Sequence, residues 1–532
     1  MSKWTLEKQV AQLWTVAYYD DGNNKYATAD CGAIWTRGVP KDSAAVCRQA
    51  IRELQDKAEV GLFICVDFET GAGQYLPDGS CAEWPGLMAF SAIAGEGEAY
   101  ARRAGEIMSE EATWLGANYA YSPVFDVNTV PQNPICGTRA AGDTPETVTR
   151  IAGAMALGMQ THRMIAAVKH FPGEGLHTVD PHKFMEEMTV TREELENIHM
   201  APYRWAAKNG VGGVMTNHAI YPPLDPDFQA TISEKVVGYL RNEIGFQGVL
   251  TTDAMGMKGI SSVLGAEQAA ILAIKAGHDL ILHPEADRPF VEYVCEAVRN
   301  GQLPQSRIEE SFERIMEAKR KLGLLEPWEQ PEPPTPLAER WETAREIGRK
   351  SLTLVRDRDG RLPQLGLKDA NVLVIEPVHP QKKDRWNAYA GESSFGPELR
   401  KRCGKVTEIA FTSRTPEEQT QAILAAAKQA DVVIAGACFN LRGRYQPGLL
   451  DTDQVAMLEQ VVATNPNTIF VLGNPYSSCE LPFAGTVLVN YGPFLVSCAA
   501  AVEALAGELD PIGVMPVTLP EYLDPGLVNL PE

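Results

Sequence analysis

The sequence predicts a two-part α/β protein: a TIM-like (β/α)8 barrel over residues 1–325, then a smaller αβα sandwich over 341–532. Three observations point there. Strand-like and helix-like segments alternate through the first 325 residues, as repeated βα units do. The strand-like segments are apolar throughout rather than alternating, the mark of parallel strands covered on both faces. A run from Glu326 to Pro336 holds five prolines in eleven residues. Such a run is an extended, semi-rigid spacer and sets a linker at 326–340.

Taken in order, strands of the first part are expected at 60–67, 118–127, 164–171, 212–220, 248–254 and 278–283. Two of the eight barrel strands are not located by pattern alone. Helices are expected at 44–57, 96–114, 145–163 and 192–208. Thr144-Pro145 supplies an N-cap followed by proline at the first helical position. Thr191 and Glu194 have the spacing of a capping box. Beyond the linker, further buried strands are expected at 371–376, 431–437, 468–473 and 486–491. A helix opens among them at Thr415-Pro416-Glu417-Glu418. No short-period repeat and no Gly-rich phosphate loop interrupts this order.

A net charge of −21 over 532 residues argues against a nucleic-acid partner and against acidic lipid surfaces. No apolar run approaches the ~20 residues that span a bilayer, and the first ten residues lack a signal-type apolar core. A cytoplasmic protein is the expectation. Ten cysteines are scattered singly with no CxxC pair, so zinc-ribbon and redox readings have little support. All ten are expected to be reduced. Cys65 and Cys438 lie in apolar strand-like runs and read as small core residues.

The chemistry concentrates in one stretch, Lys169-His170-Phe171-Pro172-Gly173-Glu174-Gly175-Leu176-His177-Thr178-Val179-Asp180-Pro181-His182. Three histidines, two carboxylates and a lysine fall within these fourteen residues, and Gly and Pro prevent a regular helix. The stretch follows an apolar run at 164–168, so ionisable groups gather where a buried strand spills into a loop. Other expected strands end in polar groups too: Asp67 and Glu69, Asp126, Asn217 and His218, and Asp253. In a barrel all such ends face one mouth. Eight of nine histidines lie between His162 and His283, which places titratable chemistry in the first part. Arg442 and Arg444, in the second, read as solvated.

These motifs resemble glycoside hydrolase family 3, in its β-N-acetylglucosaminidase branch. The resemblance is carried by Lys169 to Gly175, by Asp180-Pro181-His182, and by Gly248 to Asp253. Asp67 with Glu69 and Gly71, Pro123 with Asp126, and Gly137-Thr138-Arg139 support it. It runs through most of residues 5–325 in the right order, and more weakly into the second part through 352–356 and 513–517. The resemblance implies Asp253 as nucleophile, His182 as general acid/base and Asp180 as its partner. It implies Asp67, Arg139, Lys169 and His170 as contacts to the terminal sugar, with no cofactor. The chemistry is consistent. Glycoside cleavage needs a carboxylate below the anomeric carbon and a proton donor beside the leaving oxygen. An imidazole titrates near neutrality and can serve as acid, then base.

The chain departs from the pattern twice. Glu174 stands where the family often has histidine, and no catalytic role is assigned to it. An arginine common after Asp-x-Glu-Gly-Gly is missing from Asp67-Phe68-Glu69-Thr70-Gly71-Ala72-Gly73-Gln74. Each site residue also has a plain reading. Asp253 alone is a strand-end or helix-cap carboxylate, Asp180 and His182 a surface loop pair, His177 a loop histidine, and Asp126 an organiser of its neighbours. Three other functions compete. A barrel metallohydrolase would use His170, His177, His182 and His218, but its His-x-His strand motif is absent. An inactive sugar-binding protein would require loss of a key residue. A phosphorylase on the same site would exploit the weaker repulsion of phosphate by histidine than by a carboxylate. The expected substrate is a GlcNAc-containing oligosaccharide, from chitin, peptidoglycan or glycoprotein. The sequence leaves the oligomeric state open.

Overall fold

The structure is a computed structural model that describes residues 4–18, 31–36, 43–76, 79–326, 331–358, 360–364, 367–377, 395–411, 417–437, 450 and 452–522. The chain divides into two compact units. The first is Met1–Ala82, Ala101–Val127 and Thr144–Arg340; the second is Glu83–Tyr100, Asn128–Asp143 and Trp341–Glu532. Two stretches within the first 325 residues, 83–100 and 128–143, therefore belong to the second unit.

The first unit is built on eight parallel strands: β1 (Trp14–Ala17), β2 (Ala33–Trp35), β3 (Phe63–Val66), β4 (Tyr119–Ala120), β5 (Ile165–Phe171), β6 (Gly213–Thr216), β9 (Val249–Thr252) and β10 (Ile281–Leu282). Their spatial order is β10-β1-β2-β3-β4-β5-β6-β9. A parallel bridge between Thr251 and Leu280 brings β9 back to the β10 side and rounds the sheet into a barrel. A short hairpin of β7 (Ile220–Tyr221) and β8 (Asp225–Gln229) follows β6. The six expected strands are found. β1 and β2 are the two that pattern alone does not locate; they have four and three residues.

Local chemistry explains the differences in length. The strand expected over 118–127 is regular only at Tyr119–Ala120. Pro123 has no N–H to give a ladder, and the chain regains its neighbour through a bridge from Val124 to Lys169. The helix expected over 192–208 opens on the Thr191–Glu194 capping box. It then widens at Leu195–His199, where Met200 N donates to Leu195 O at 2.8 Å, and resumes at Ala201–Lys208. Pro202 lies in this region, and its missing donor fits the irregular turn.

Two polar groups are sunk into the barrel away from the strand ends that carry the sequence motifs. Asp279 is fully buried and meets Arg241 at 2.7 Å, Arg314 at 3.1 Å and Arg307 at 3.3 Å. It also accepts from the backbone of Leu250 at 2.9 Å. Burial alone would raise its carboxyl, but the three guanidiniums outweigh that and hold it low. Lys319, on the Gln305–Lys321 helix, is fully buried, donates to Gln12 Oε1 at 2.7 Å and lies 5.1 Å from the Phe63 ring centroid. Burial pushes its ammonium down to about 7 from 10.5. The unfolded chain then binds the extra proton between these values, so Lys319 makes stability rise as pH rises from 7 toward 10.5. The unfolding free energy of the wild type minus that of Lys319→Met should become more positive across that window. A flat difference in denaturant titrations would reject it.

The second unit is a six-stranded sheet: β11 (Thr353–Asp357), β12 (Asn371–Pro377), β13 (Lys405–Phe411), β14 (Val432–Ala437), β15 (Thr468–Leu472) and β16 (Thr486–Val489). The order is β11-β16-β15-β14-β12-β13, parallel except for the antiparallel edge strand β11. Alternate residues serve two cores. Leu373 and Ile375 pack with Ile423, Met457 and Met88 on one face; Val372 and Val374 pack with Leu399 and Val502 on the other. Apolar side chains on both faces are why these strands read as unbroken hydrophobic runs. The last residues of the expected linker are already helical, in Leu337–Ser351. Residues 327–330 of the linker, Thr415-Pro416, Cys438, Arg442 and Arg444 lie outside the described residues. None of the nine described cysteines is in a disulfide, and Cys65 is fully buried in β3. No described helix is long and apolar enough to cross a membrane.

Candidate active site

The polar residues that follow the first unit's strands come together in a connected set. Asp67, just past β3, accepts from Trp35 Nε1 at 2.6 Å. Lys169, near the end of β5, is buried and reaches Glu69 at 2.7 Å and Asp67 at 3.7 Å. A buried ammonium needs such partners.

His170 is fixed from several sides. Its Nδ1 lies 2.7 Å from Asp126 Oδ2 and 3.2 Å from Glu174 Oε2. Asp126 Oδ1 accepts from the backbone of His170 at 3.1 Å and of Glu174 at 2.7 Å. With two carboxylates on Nδ1, that nitrogen carries the proton. Burial works against a charged ring, but Glu174 and Asp126 outweigh it and hold His170 above its usual range. The β5–β6 register slips between Lys169 and Phe171, which sets His170 apart from regular pairing. Asn217, after β6, donates to His170 O at 3.3 Å and to Tyr221 Oη at 2.7 Å; Tyr221 donates to Gly173 O at 2.7 Å. The β6 end thus braces the β5 loop.

Asp253 follows β9. Its N–H donates to Thr216 O at 3.1 Å, and its Oδ1 accepts from Ala254 N at 2.6 Å. His182 donates its backbone N–H (2.9 Å) and presents ring Nδ1 (2.8 Å) to Asp180 Oδ1. Asp180 is buried, whereas the His182 side chain is 36% exposed. Two backbone bonds tie this pair to the segment after Asp253: Lys258 N to His182 O at 3.3 Å and Gly259 N to Pro181 O at 3.2 Å. His218 lies within electrostatic reach of both. Burial holds it low, Asp253 opposes that, and His182 lowers it further. Its ring sits 2.8 Å from Thr231 Oγ1 and 3.1 Å from Ala254 O.

Among the described residues, no two of the four histidines of the metallohydrolase alternative fall in one group of metal-ligand spacing; His170 and His177 share Glu174, while His182 and His218 are engaged by Asp180 and by Thr231 with Ala254 O. Among the described residues, one group has ligand atoms all within 4.8 Å of one another: Asp126, His170 and Glu174. Hydrogen bonds already join its members, and a cation there would displace the Nδ1 proton of His170.

Two features lay beyond the sequence reading. Glu174 is buried against two histidines, His170 at 3.2 Å and His177 at 3.6 Å. His177 is a loop histidine, as the sequence reads, but it is fully buried. A glutamate inside Gly-x-Gly, beside two histidines, was the available signal. Arg139 lies in the 128–143 stretch of the second unit, on the Gly137–Arg139 turn, where its Nη1 donates to Ile135 O at 2.7 Å.

Comparisons with known proteins bear on the fold and the family. Residues 5–318 match the N-terminal domain of glycosyl hydrolase family 3. The chain is 27% identical over 492 residues to a β-N-acetylglucosaminidase/β-glucosidase of Cellulomonas fimi, covering 89% of this chain and 86% of that one. It is 30% identical over 291 residues to β-hexosaminidase A of Pseudoalteromonas piscicida, where the match spans 50% of this chain and about half (49%) of the relative. Among solved structures, a family 3 β-N-acetylglucosaminidase from Paenibacillus sp. str. FPU-7 superposes with a TM-score of 0.85 at 27% identity, covering 98% of this chain and all (100%) of that one. With a family match over more than half its length and a barrel whose strand ends gather these carboxylates and histidines, the chain belongs to glycoside hydrolase family 3.

Proposed function

We propose that the protein is a retaining exo-β-N-acetylglucosaminidase that releases terminal GlcNAc from chitin oligosaccharides or peptidoglycan fragments. One observation carries the reading: the Asp180–His182 pair is tied by backbone bonds to the segment that follows Asp253. That arrangement offers a carboxylate and an imidazole from two different strand ends to one bond. The β-N-acetylglucosaminidase activities of the Cellulomonas and Paenibacillus relatives support the GlcNAc preference.

In this reading Asp253 attacks the anomeric carbon as His182 gives its Nε2 proton to the leaving oxygen, and a glycosyl ester forms. His182 then takes a proton from water, which displaces Asp253 and restores the β-configuration. Asp180 orients the ring through Nδ1 and stabilises the imidazolium, as the aspartate of a serine-protease triad does. Asp67, Lys169 and His170 bind hydroxyls of the terminal sugar; with Nδ1 of His170 committed, Nε2 is the nitrogen left for that task.

Product analysis on chitobiose and on a GlcNAc–anhydro-MurNAc disaccharide, with and without phosphate, tests the proposal. Free GlcNAc in both conditions supports hydrolysis; a sugar 1-phosphate made only with phosphate would favour phosphorolysis. Cleavage of neither substrate would remove the reading. His182→Ala should lower chitobiose cleavage about 10²–10⁴-fold, the range of general-acid catalysis, and nitrophenyl glycosides far less. Asp180→Ala should move in the same direction, and the double variant should be no worse than the more damaging single one. Equal losses on all leaving groups would make the pair structural.

A further inference from the structure

We propose that His177 and Glu186 form a clasp that holds the acid/base loop closed, making both of them positioning residues for His182. The proposal rests on the glycosidase reading above and adds what sets the position of its acid.

The loop between these residues carries both Asp180 and His182 and has no helix or regular strand. Left to itself, such a segment samples many conformations, and ordering it costs entropy. A general acid must reach hydrogen-bond distance of the leaving oxygen, and small misplacements of reacting groups are expensive. Something must therefore fix the ends of the loop.

One carboxylate does this. Glu186 Oε2 accepts from His177 Nδ1 at 2.6 Å, while Oε1 accepts from Thr178 N at 3.1 Å and Thr178 Oγ1 at 2.6 Å. Residues on either side of the dyad are joined across nine positions. The backbone of Glu186 is itself anchored, because Ile220 N donates to Glu186 O at 3.0 Å and Met188 N donates to Ile220 O at 2.9 Å. On its other side, His177 Nε2 faces Glu174 Oε1 at 3.6 Å, and Glu174 Oε2 lies 3.2 Å from His170 Nδ1. Asp126, His170, Glu174, His177 and Glu186 thus form a line of alternating carboxylates and imidazoles. It runs from the end of β5 to the far side of the acid/base loop.

The clasp is charged at neutral pH. His177 is fully buried, and burial would drive off its proton, but the carboxylates of Glu174 and Glu186 on its two sides raise it to about 9. Glu186 would be raised by its own partial burial, yet His177 and Thr178 hold it below the usual carboxylate range. Nδ1 of His177 then donates to Glu186 in a charge-assisted bond, the stronger kind, while Nε2 faces the Glu174 carboxylate at ion-pair distance. None of these three residues need touch the sugar. Their effect reaches the reaction through the placement of His182.

The test uses Glu186→Gln, His177→Gln and, as a milder change, Thr178→Val, whose side chain is exposed and removes a single hydroxyl bond. Each full-length variant is assayed on aryl N-acetylglucosaminides of graded leaving-group pKa and on chitobiose. Amide hydrogen exchange is followed over 177–186. For Glu186→Gln and His177→Gln, kcat/KM on chitobiose should fall roughly 10–100-fold while the most activated aryl substrate loses less than about threefold. KM should change little, and exchange should quicken between residues 178 and 184. Thr178→Val should shift both readouts the same way by a few-fold, and it decides the matter if the other two fail to fold. Equal losses on every leaving group, or wild-type kinetics with wild-type exchange, would overturn the clasp. The reading beneath it is separable: if His182→Ala itself shows no dependence on leaving group, the assignment of the acid fails. If His182→Ala shows that dependence and the clasp variants do not, only the clasp fails.

Discussion

Asp253→Ala is expected to lose on the order of 10³-fold or more in turnover on an activated aryl N-acetylglucosaminide, because several kcal/mol of transition-state stabilisation leave with the proposed nucleophile. The geometry explains why no neighbour should substitute. Asp253 is held between β6 and β9 by its N–H on Thr216 O, and its Oδ1 is occupied by Ala254 N. Oδ2 is then the oxygen left for the anomeric carbon. Asp126, Glu69 and Glu174 are engaged by His170, Lys169 and His177. Asp253 is only partly buried, so the variant should unfold near the wild-type temperature, separating lost chemistry from lost structure. A 2-fluoro sugar should label Asp253. Labelling at another carboxylate, with Asp253→Ala still active, would move the nucleophile elsewhere.

The largest effect on stability is expected at Asp279→Asn. Removing one partner of a buried ion pair leaves an uncompensated charge and costs about 3–5 kcal/mol. Here the carboxylate faces Arg241, Arg307 and Arg314 together, of which Arg241 and Arg307 are largely buried. Burial already lowers the Arg241 guanidinium, and Asp279 is the first charge that offsets this. With Asn in place the three cations repel each other with no anion among them. A melting temperature lowered by about 5–8 °C, or failure to accumulate folded protein, is the expected result. A loss below about 1 kcal/mol in denaturant titrations would mean that solvent or Glu310, 2.6 Å from Arg307, takes over the balancing role. Catalysis by the folded fraction should be unchanged, since Asp279 touches none of the site residues named above.

What could be read from the chain depended on how far apart the interacting residues lie. Strands such as β5 and β15 were legible because their residues are buried on both faces and stand as unbroken apolar runs. β1 was not, because it begins two residues after the Leu6–Gln12 helix and its apolar residues read on from that helix; the short β2 has no such neighbour to explain it. Asp180 and His182 were legible as a pair because they stand two positions apart, and their bond is local. The Asp279 cluster was not, since its arginines come from positions 241, 307 and 314, and no periodicity links them. Glu174 and Glu186 were missed for a related reason. Each looks like a solvated loop carboxylate until the fold buries His177 between them.

The assignment of residues 83–100 and 128–143 to the second unit has a consequence for how the protein is made. Met88, Ala89 and Ala92 share a core with Phe470, Val487 and Val517, so an early segment waits for partners about 400 residues later. At roughly 5–20 residues per second, a ribosome needs on the order of a minute to supply them. During that time this apolar patch has no native cover, and a nascent chain halted after the barrel sequence would keep it exposed. Expression of a barrel cut at the linker should therefore yield aggregates or chaperone-bound material. Splitting the protein cleanly would require removing these two stretches as well.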